Sequence, residues 1–218
     1  MWWAIYLLGA TASALACPPA SAQAVEGELT LHSSYLDIDS FNDRFSANPV
    51  AQLTIAIDAG GGFYVEPYLY TGFDRPFGDA SSEYGVEMGW EGEIAAVLTA
   101  NVATGRWANY QGGGMNAGDW FGRIGLRHAD FSLSASILQG DSNTILLNAE
   151  YELHPAAAVT ITPSVAYVTA DRAFNPGAEL TYRLGPALAL AVGVVAPQRA
   201  GGREVYGSVG LIWSFSTD

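Results

Sequence analysis

From residue 25 onward, apolar and polar positions exchange every second residue. That is the period of a strand with one face in oil and the other in water, and it holds nearly throughout in place of the 3.6 of a helix. In 25–35, Glu26, Glu28, Thr30, His32 and Ser34 share one face, against Leu29, Leu31 and Tyr35. In 50–58, Gln52, Thr54 and Asp58 oppose Leu53, Ile55 and Ile57, and in 62–73, Tyr64, Glu66, Tyr68 and Tyr70 oppose Phe63, Val65, Leu69 and Phe73. In 83–91, Glu83, Gly85, Glu87, Gly89 and Glu91 oppose Tyr84, Val86, Met88 and Trp90. The pattern recurs at 93–103, at 119–127 (Arg123 and Arg127 on the polar side) and at 131–138 (Ser132, Ser134, Ser136). It continues at 144–153 (Asn148, Glu150, Glu152), 159–169, 178–184 (Glu179, Thr181, Arg183), 187–195 and 205–215. About twelve strands are predicted. Pro67 and Pro163 fall inside two of them, and each deletes a ladder donor.

The connections alternate as well. Those after the even-numbered runs are brief, such as Ala59-Gly60-Gly61, Gly92, His128-Ala129-Asp130 and Gly185-Pro186. Those after the odd-numbered runs are mostly longer: 36–49, 74–82, 104–118, 170–177 and 196–204, with only the one near Gln139–Asn143 short. A soluble sandwich has no reason to sort its loops this way. A membrane barrel has one, because short turns gather on one side of the bilayer and long loops on the other.

The placement of charge separates the same two architectures. No ionised side chain falls on any of the apolar faces, and ten of the eleven glutamates, all but Glu204, fall on polar ones. The polar faces carry serine, threonine, glycine, tyrosine and glutamate, the lining of a watery lumen rather than a lysine-rich soluble surface. The fold expected is therefore all-β: a closed antiparallel transmembrane β-barrel with short periplasmic turns and longer external loops. On that threading, Phe63, Trp90, Phe131, Tyr151, Tyr182, Trp213 and Phe215 form one aromatic girdle, and Tyr35, Phe73, Tyr84, Trp120 and Tyr167 form another.

Residues 2–16 are uncharged and mostly apolar or small, and Ala22-Gln23-Ala24 fits small-x-small cleavage, so 1–24 reads as a cleaved export signal and 25–218 as the barrel. A lipoprotein signal that lipidates Cys17 is the rival reading. Export leaves the bacterial outer membrane as the expected location. The chain of 218 residues has a net charge of −13 and no lysine, which excludes nucleic acid as a partner.

An export signal, an even set of alternating strands and the aromatic-rich closing run 207–215 (GSVGLIWSF) together resemble a small outer-membrane β-barrel of Gram-negative bacteria. Asn48-Pro49-Val50 leading into a strand, followed by Gly62-Phe63-Tyr64-Val65, more narrowly resembles the TorF-like porins over roughly thirty residues. The resemblance implies contact with outer-membrane lipid and lipopolysaccharide, insertion by the barrel assembly machinery, and passage of small polar solutes. Ser216-Thr217-Asp218 follow Phe215, where such an assembly signal ordinarily ends on the aromatic.

Catalytic chemistry finds little support. His32-Ser33-Ser34 offers an H-x-S, but a bare H-x-S is a common chance match, and the chain carries no nucleophile elbow, zinc motif or phosphate loop. Asp37, Asp39 and Asp43 lack the glycine and spacing of a calcium loop. No cofactor, metal ligand set or catalytic residue is assigned. The candidate site is the lumen: Glu66, Glu83, Glu87, Glu150, Glu152, Arg123, Arg127, Arg183, Tyr64 and Tyr68. Gly85 and Gly89 leave room for the tyrosines, and Arg123 and Arg127 face Glu150 and Glu152 across the short serines of the intervening strand. Arg106, Trp107 and Tyr110 sit in the loop 104–118, which either constricts the pore or binds a surface partner. The expected function is passive diffusion of small solutes through an acidic, cation-favouring lumen. The alternatives are a plugged barrel whose loops recognise a partner and, remotely, a lipid-modifying barrel enzyme.

Overall fold

A computed structural model describes residues 24–36, 45–46, 49–72, 83–109, 118–139, 144–170, 172–199 and 202–217. Twelve strands form the barrel. They are β1 (Val25–His32), β2 (Val50–Gly60), β3 (Phe63–Gly72), β4 (Glu83–Ala95), β5 (Leu98–Asn109) and β6 (Asp119–His128). Then come β7 (Phe131–Gln139), β8 (Thr144–Tyr151, resuming over Leu153–Ala156), β9 (Val159–Val168), β10 (Ala173–Arg183), β11 (Leu188–Val195) and β12 (Tyr206–Ser216). Each strand pairs antiparallel with its neighbour in the chain, and β12 pairs with β1 from Glu26↔Ser216 to His32↔Gly210, so the sheet closes without an edge. A further hydrogen bond of 3.0 Å from Thr217 N to Val25 O fastens the seam.

The two ends of the barrel differ as the sequence predicts. At one end Gly61-Gly62, Ala96-Val97, Ala129-Asp130 and Ala157-Ala158 turn the chain within two residues each. Gly60, Gly61 and Gly62 hold φ at 86°, 65° and 83°, a run that only glycine adopts without strain. At the other end the connections 33–49, 73–82, 110–118 and 196–205 are long. The start of β1 and the end of β12 both lie at the short-turn end.

Register places each side chain. Rows of directly paired residues run around the barrel, such as Glu28–Thr54–Tyr68–Gly85–Trp107–Asp119, and they carry the polar set inward. The opposite parity points out, and Val102, Ile124, Leu133, Leu147, Leu180, Leu190 and Leu211 are all exposed on the exterior. A continuous apolar exterior of this kind is a surface for hydrocarbon. Phe63, Phe131, Tyr151, Tyr182, Trp213 and Phe215 are exposed on it at the short-turn end, where Phe63 pairs with Trp90 and Phe131 with Tyr151. Trp120 and the tilted ring pair Tyr167 and Phe174, 4.7 Å between centroids, mark the other end. Phe73 and the side chain of Tyr35 lie outside the described residues.

Both flagged prolines occupy gaps in the ladder. Pairing of β2 with β3 steps from Thr54↔Tyr68 to Ile57↔Val65, and Pro67 lies between those rungs. Pairing of β8 with β9 stops at Glu150↔Ser164 and resumes at Leu153↔Ile161, with Pro163 in the gap and the break in β8 opposite it. Each missing donor coincides with an absent rung on that side, while Pro67↔Val86 and Pro163↔Ala178 keep the register on the other.

Two expectations are corrected. Residues 104–109 belong to β5 and 173–177 to β10, so both long-loop connections are shorter than the sequence suggested. Because β5 extends this far, Arg106 and Trp107 are strand residues on opposite faces: Trp107 is in the inward row of Gly85 and Asp119, and Arg106 faces out. The outward guanidinium lies 5.3 Å from the Trp120 ring, and its Nε donates to Gly118 O at 3.1 Å. Tyr110 lies outside the described residues, as do 1–23 and the loop aspartates Asp37, Asp39 and Asp43.

Candidate functional site

The lumen wall is built from glycines that make room for rings. An added Cβ on Gly85 would meet the Tyr68 ring at 2.5 Å, and one on Gly89 would meet the Tyr64 ring at 2.6 Å. The two tyrosines lie flat across β4 in the manner the alternating glycines predict, and Phe121 covers Gly105 likewise. Holding the ring down also aims the hydroxyl. Tyr64 OH donates to Glu87 Oε1 at 2.7 Å and accepts from Asn101 Nδ2 at 2.9 Å.

The arginines turn the opposite way from the expectation. Arg123 Nη2 donates to Glu87 Oε1 at 2.6 Å, and Arg127 Nη2 donates to Glu91 Oε1 at 2.7 Å. Both reach over β5 to β4, not over β7 to Glu150 and Glu152. Arg123 shares a row with Ala103 and Gly89, so it steps diagonally by one inward position to meet Glu87, and Arg127 repeats that step from the row of Thr99 and Glu93. Alanine, asparagine and threonine on β5 are as easy to cross as the serines of β7. The Glu87 carboxylate is the more sheltered, its side chain 6% exposed against 40% for Arg123, and the Arg127–Glu91 pair is open to water on both sides.

The remaining predicted lumen residues scatter. Glu66 lies directly across from Glu87 on β3, and Glu83 lies at the long-loop end of β4 opposite Tyr70. Glu150 accepts from Asn148 Nδ2 at 3.0 Å and from Ser132 Oγ at 3.4 Å. Glu152 occupies the break in β8, 3.4 Å from His154 Nε2. Arg183 lines a cavity of ≈ 570 Å³ with Glu28 and Glu179, and it makes no ion pair among the described residues. The largest of these spaces is ≈ 770 Å³, bounded by Asp58, Glu66, Arg123, Arg127, Asn148 and Glu150 in the short-turn half.

One part of the lining went unread in the sequence. Leu138, Leu146, Val168 and Val195 face inward at the long-loop end, because they share rows with Ser136, Phe121 and Gly177. Leu146, Ala166 and Val168 pack together at 3%, 0% and 2% exposure. The run Thr144-Ile145-Leu146-Leu147 held the signal, since three consecutive apolar residues on a strand cannot all face out. Most lumen carboxylates thus lie in the short-turn half, and in the other half, where Glu83 also stands, an apolar collar lies on the β7–β11 side.

No hydrogen bond joins His32 to its serines among the described residues. Ser34 Oγ donates to Gly207 O at 2.7 Å, and Ser33 Oγ accepts from Val209 N at 2.9 Å, so both hydroxyls stitch β1 to β12. Among the described residues no group of three or more His, Cys, Asp or Glu is placed to hold a metal ion.

No family model matches the chain, and no curated protein does. Among solved structures, the KdgM porin in complex with disordered oligogalacturonate superposes with a TM-score of 0.58 at 12% identity, over 88% of this chain and 99% of that one. The NanC porin gives 0.54 at 12% identity, over 89% and 99%. A membrane protein crystallised in meso gives 0.60 at 8% identity, over 89% and 84%. At these identities the likeness is one of fold: the chain has the architecture of a small porin barrel.

Proposed function

We propose that the protein is a non-enzymatic, porin-like channel of the bacterial outer membrane, passing small polar solutes and favouring cations. The observation that carries the reading is the direction of the arginines. Arg123 and Arg127 are held by Glu87 and Glu91, which leaves Glu26, Glu28, Glu66, Glu150 and Glu179 without an ion pair among the described residues. Fixed carboxylates in a confined aqueous space raise the local cation concentration and repel anions. A barrel of about twelve strands is wide enough to hold that water, whereas eight strands fill with side chains. The fold shared with the KdgM and NanC porins supports a channel, as does the narrower resemblance to the TorF-like porins. The KdgM porin was solved with oligogalacturonate, a polyanion. This acidic lumen disfavours such a polymer, so that solute is not carried over.

The short turns then face the periplasm and the long loops the exterior. Lipopolysaccharide surrounds the upper girdle, where Arg106 over Trp120 suits the headgroup level. Insertion falls to the barrel assembly machinery.

Reversal potentials in a salt gradient across a planar bilayer test the reading. The wild type should prefer K⁺ over Cl⁻, and the triple variant Glu28→Gln, Glu66→Gln, Glu179→Gln should lose most of that preference. Glu87→Gln should also lower it, because losing that carboxylate frees the Arg123 guanidinium to repel cations. Anion preference in the wild type would overturn the selectivity. The apolar collar favours one second reading, a plugged barrel whose loops bind a partner, and absence of any conductance would favour that one instead.

A further inference from the structure

The turn of the arginines toward β4 leaves the wall of β7, β8 and β9 with acceptors and no cation. Asn148 is 7% exposed and points inward, and its Nδ2 donates to Glu150 Oε1 at 3.0 Å. Only the amide nitrogen can donate to a carboxylate, so that bond fixes the rotamer and sends Oδ1 the other way. Oδ1 is buried and has no hydrogen-bond partner among the described residues. An unmatched buried acceptor is costly and uncommon in a native structure.

Its surroundings repeat the same chemistry. Ser134 is the row partner of Asn148, and Ser164 is the row partner of Glu150. Glu150 lines both the ≈ 770 Å³ cavity and a second of ≈ 290 Å³ that also takes in His32 and Ser164. The wall therefore offers a carboxylate, an orphaned amide oxygen and serine oxygens within one patch. Its carboxylate has no ion pair among the described residues, because the two arginines that border the same cavity, Arg123 and Arg127, are held by Glu87 and Glu91.

We propose that Asn148 and Glu150 form a subsite for the primary ammonium group of a small cationic solute. Three N–H donors in a compact, positively charged head match an amide oxygen, a carboxylate and a serine hydroxyl together. A neutral polyol supplies donors but leaves the carboxylate charge unmet. A metal ion would need a denser ligand set than the wall presents. The proposal rests on the acidic lumen of the preceding reading and not on conduction, so it is tested where no current is needed.

The barrel is refolded in dodecyl maltoside micelles, and folding is checked by its heat-dependent shift on a gel. Saturation-transfer NMR is then recorded with 2-aminoethanol, which is cationic at neutral pH, and with ethylene glycol, its uncharged counterpart, at matched ionic strength. The ammonium probe should receive saturation, and the diol should not. Glu150→Gln and Asn148→Leu should each weaken binding about tenfold, the scale of one charge-assisted hydrogen bond. Glu93→Gln, which removes a carboxylate at the short-turn rim, should leave binding unchanged. Equal signals from both probes, undiminished binding in Glu150→Gln, or the same weakening by Glu93→Gln would each overturn the subsite. A barrel that fails to conduct yet binds 2-aminoethanol in this pattern would retain it.

Discussion

Glu87 gathers more of the lumen chemistry than any other residue described. Its Oε1 takes hydrogen bonds from Tyr64 and Arg123, and Glu66 stands opposite it with the same charge. Two carboxylates facing each other across a ladder repel, and the guanidinium on one of them relieves that repulsion. Removing the guanidinium leaves a sheltered carboxylate with only the tyrosine and a like-charged neighbour. Arg123→Gln should therefore destabilise the barrel by about 1–3 kcal/mol, less than a fully buried pair because Arg123 is partly hydrated. Arg127→Gln breaks an ion pair that is open to water on both sides and should cost about 1 kcal/mol or less. Urea unfolding in lipid vesicles, followed by tryptophan fluorescence, ranks the two variants. Equal losses would mean that the shelter around Glu87 contributes nothing.

Strand faces were legible at the level of elements because closure removes any ambiguity about which side is wet. Every strand turns one face outward and one into the lumen, so parity read from Glu83, Glu87 and Glu91 propagates around the ring through the register. Strand ends were less legible. Residues 104–109 look like loop because Gly105 and Arg106 interrupt the alternation, yet Gly105 is there to take the Phe121 ring and Arg106 points out at the girdle. Phe174 likewise lies in a strand, because β10 begins at Ala173 rather than residue 178. The two-ended topology has its own check. A cysteine at Asn109, on the long-loop end of β5, should react with an impermeant maleimide on intact cells. One at Ala96, in the opposite turn, should react only after the outer membrane is broken. The reverse pattern would invert the barrel.

For the whole molecule, the lumen is graded along its axis. Most lumen carboxylates, though not Glu83, and the ≈ 770 Å³ space lie toward the short-turn half, and the Leu146, Ala166 and Val168 cluster lies in the other. Apolar collars resist water, so this one should set the resistance of the pore. The double variant Leu146→Ser, Val168→Ser should raise single-channel conductance and lower stability by about 2–4 kcal/mol, since both side chains are buried. Unchanged conductance with lowered stability would assign the collar to packing alone.

The amino-acid sequence by itself determined the architecture. A two-residue period with no charge on the apolar face, glycines spaced to receive tyrosines, and turns that alternate short and long admit one solution, a closed barrel, because only closure satisfies the backbone in hydrocarbon. It could not determine where Arg123 and Arg127 reach. Each guanidinium had a carboxylate two strands away on either side, across residues equally short. The diagonal register of β4, β5 and β6, together with a Tyr64 hydroxyl already fixed on Glu87, decided the direction. That choice is tertiary, made by neighbours far apart in the chain, and it is what leaves Glu150 and the Asn148 oxygen free of any arginine.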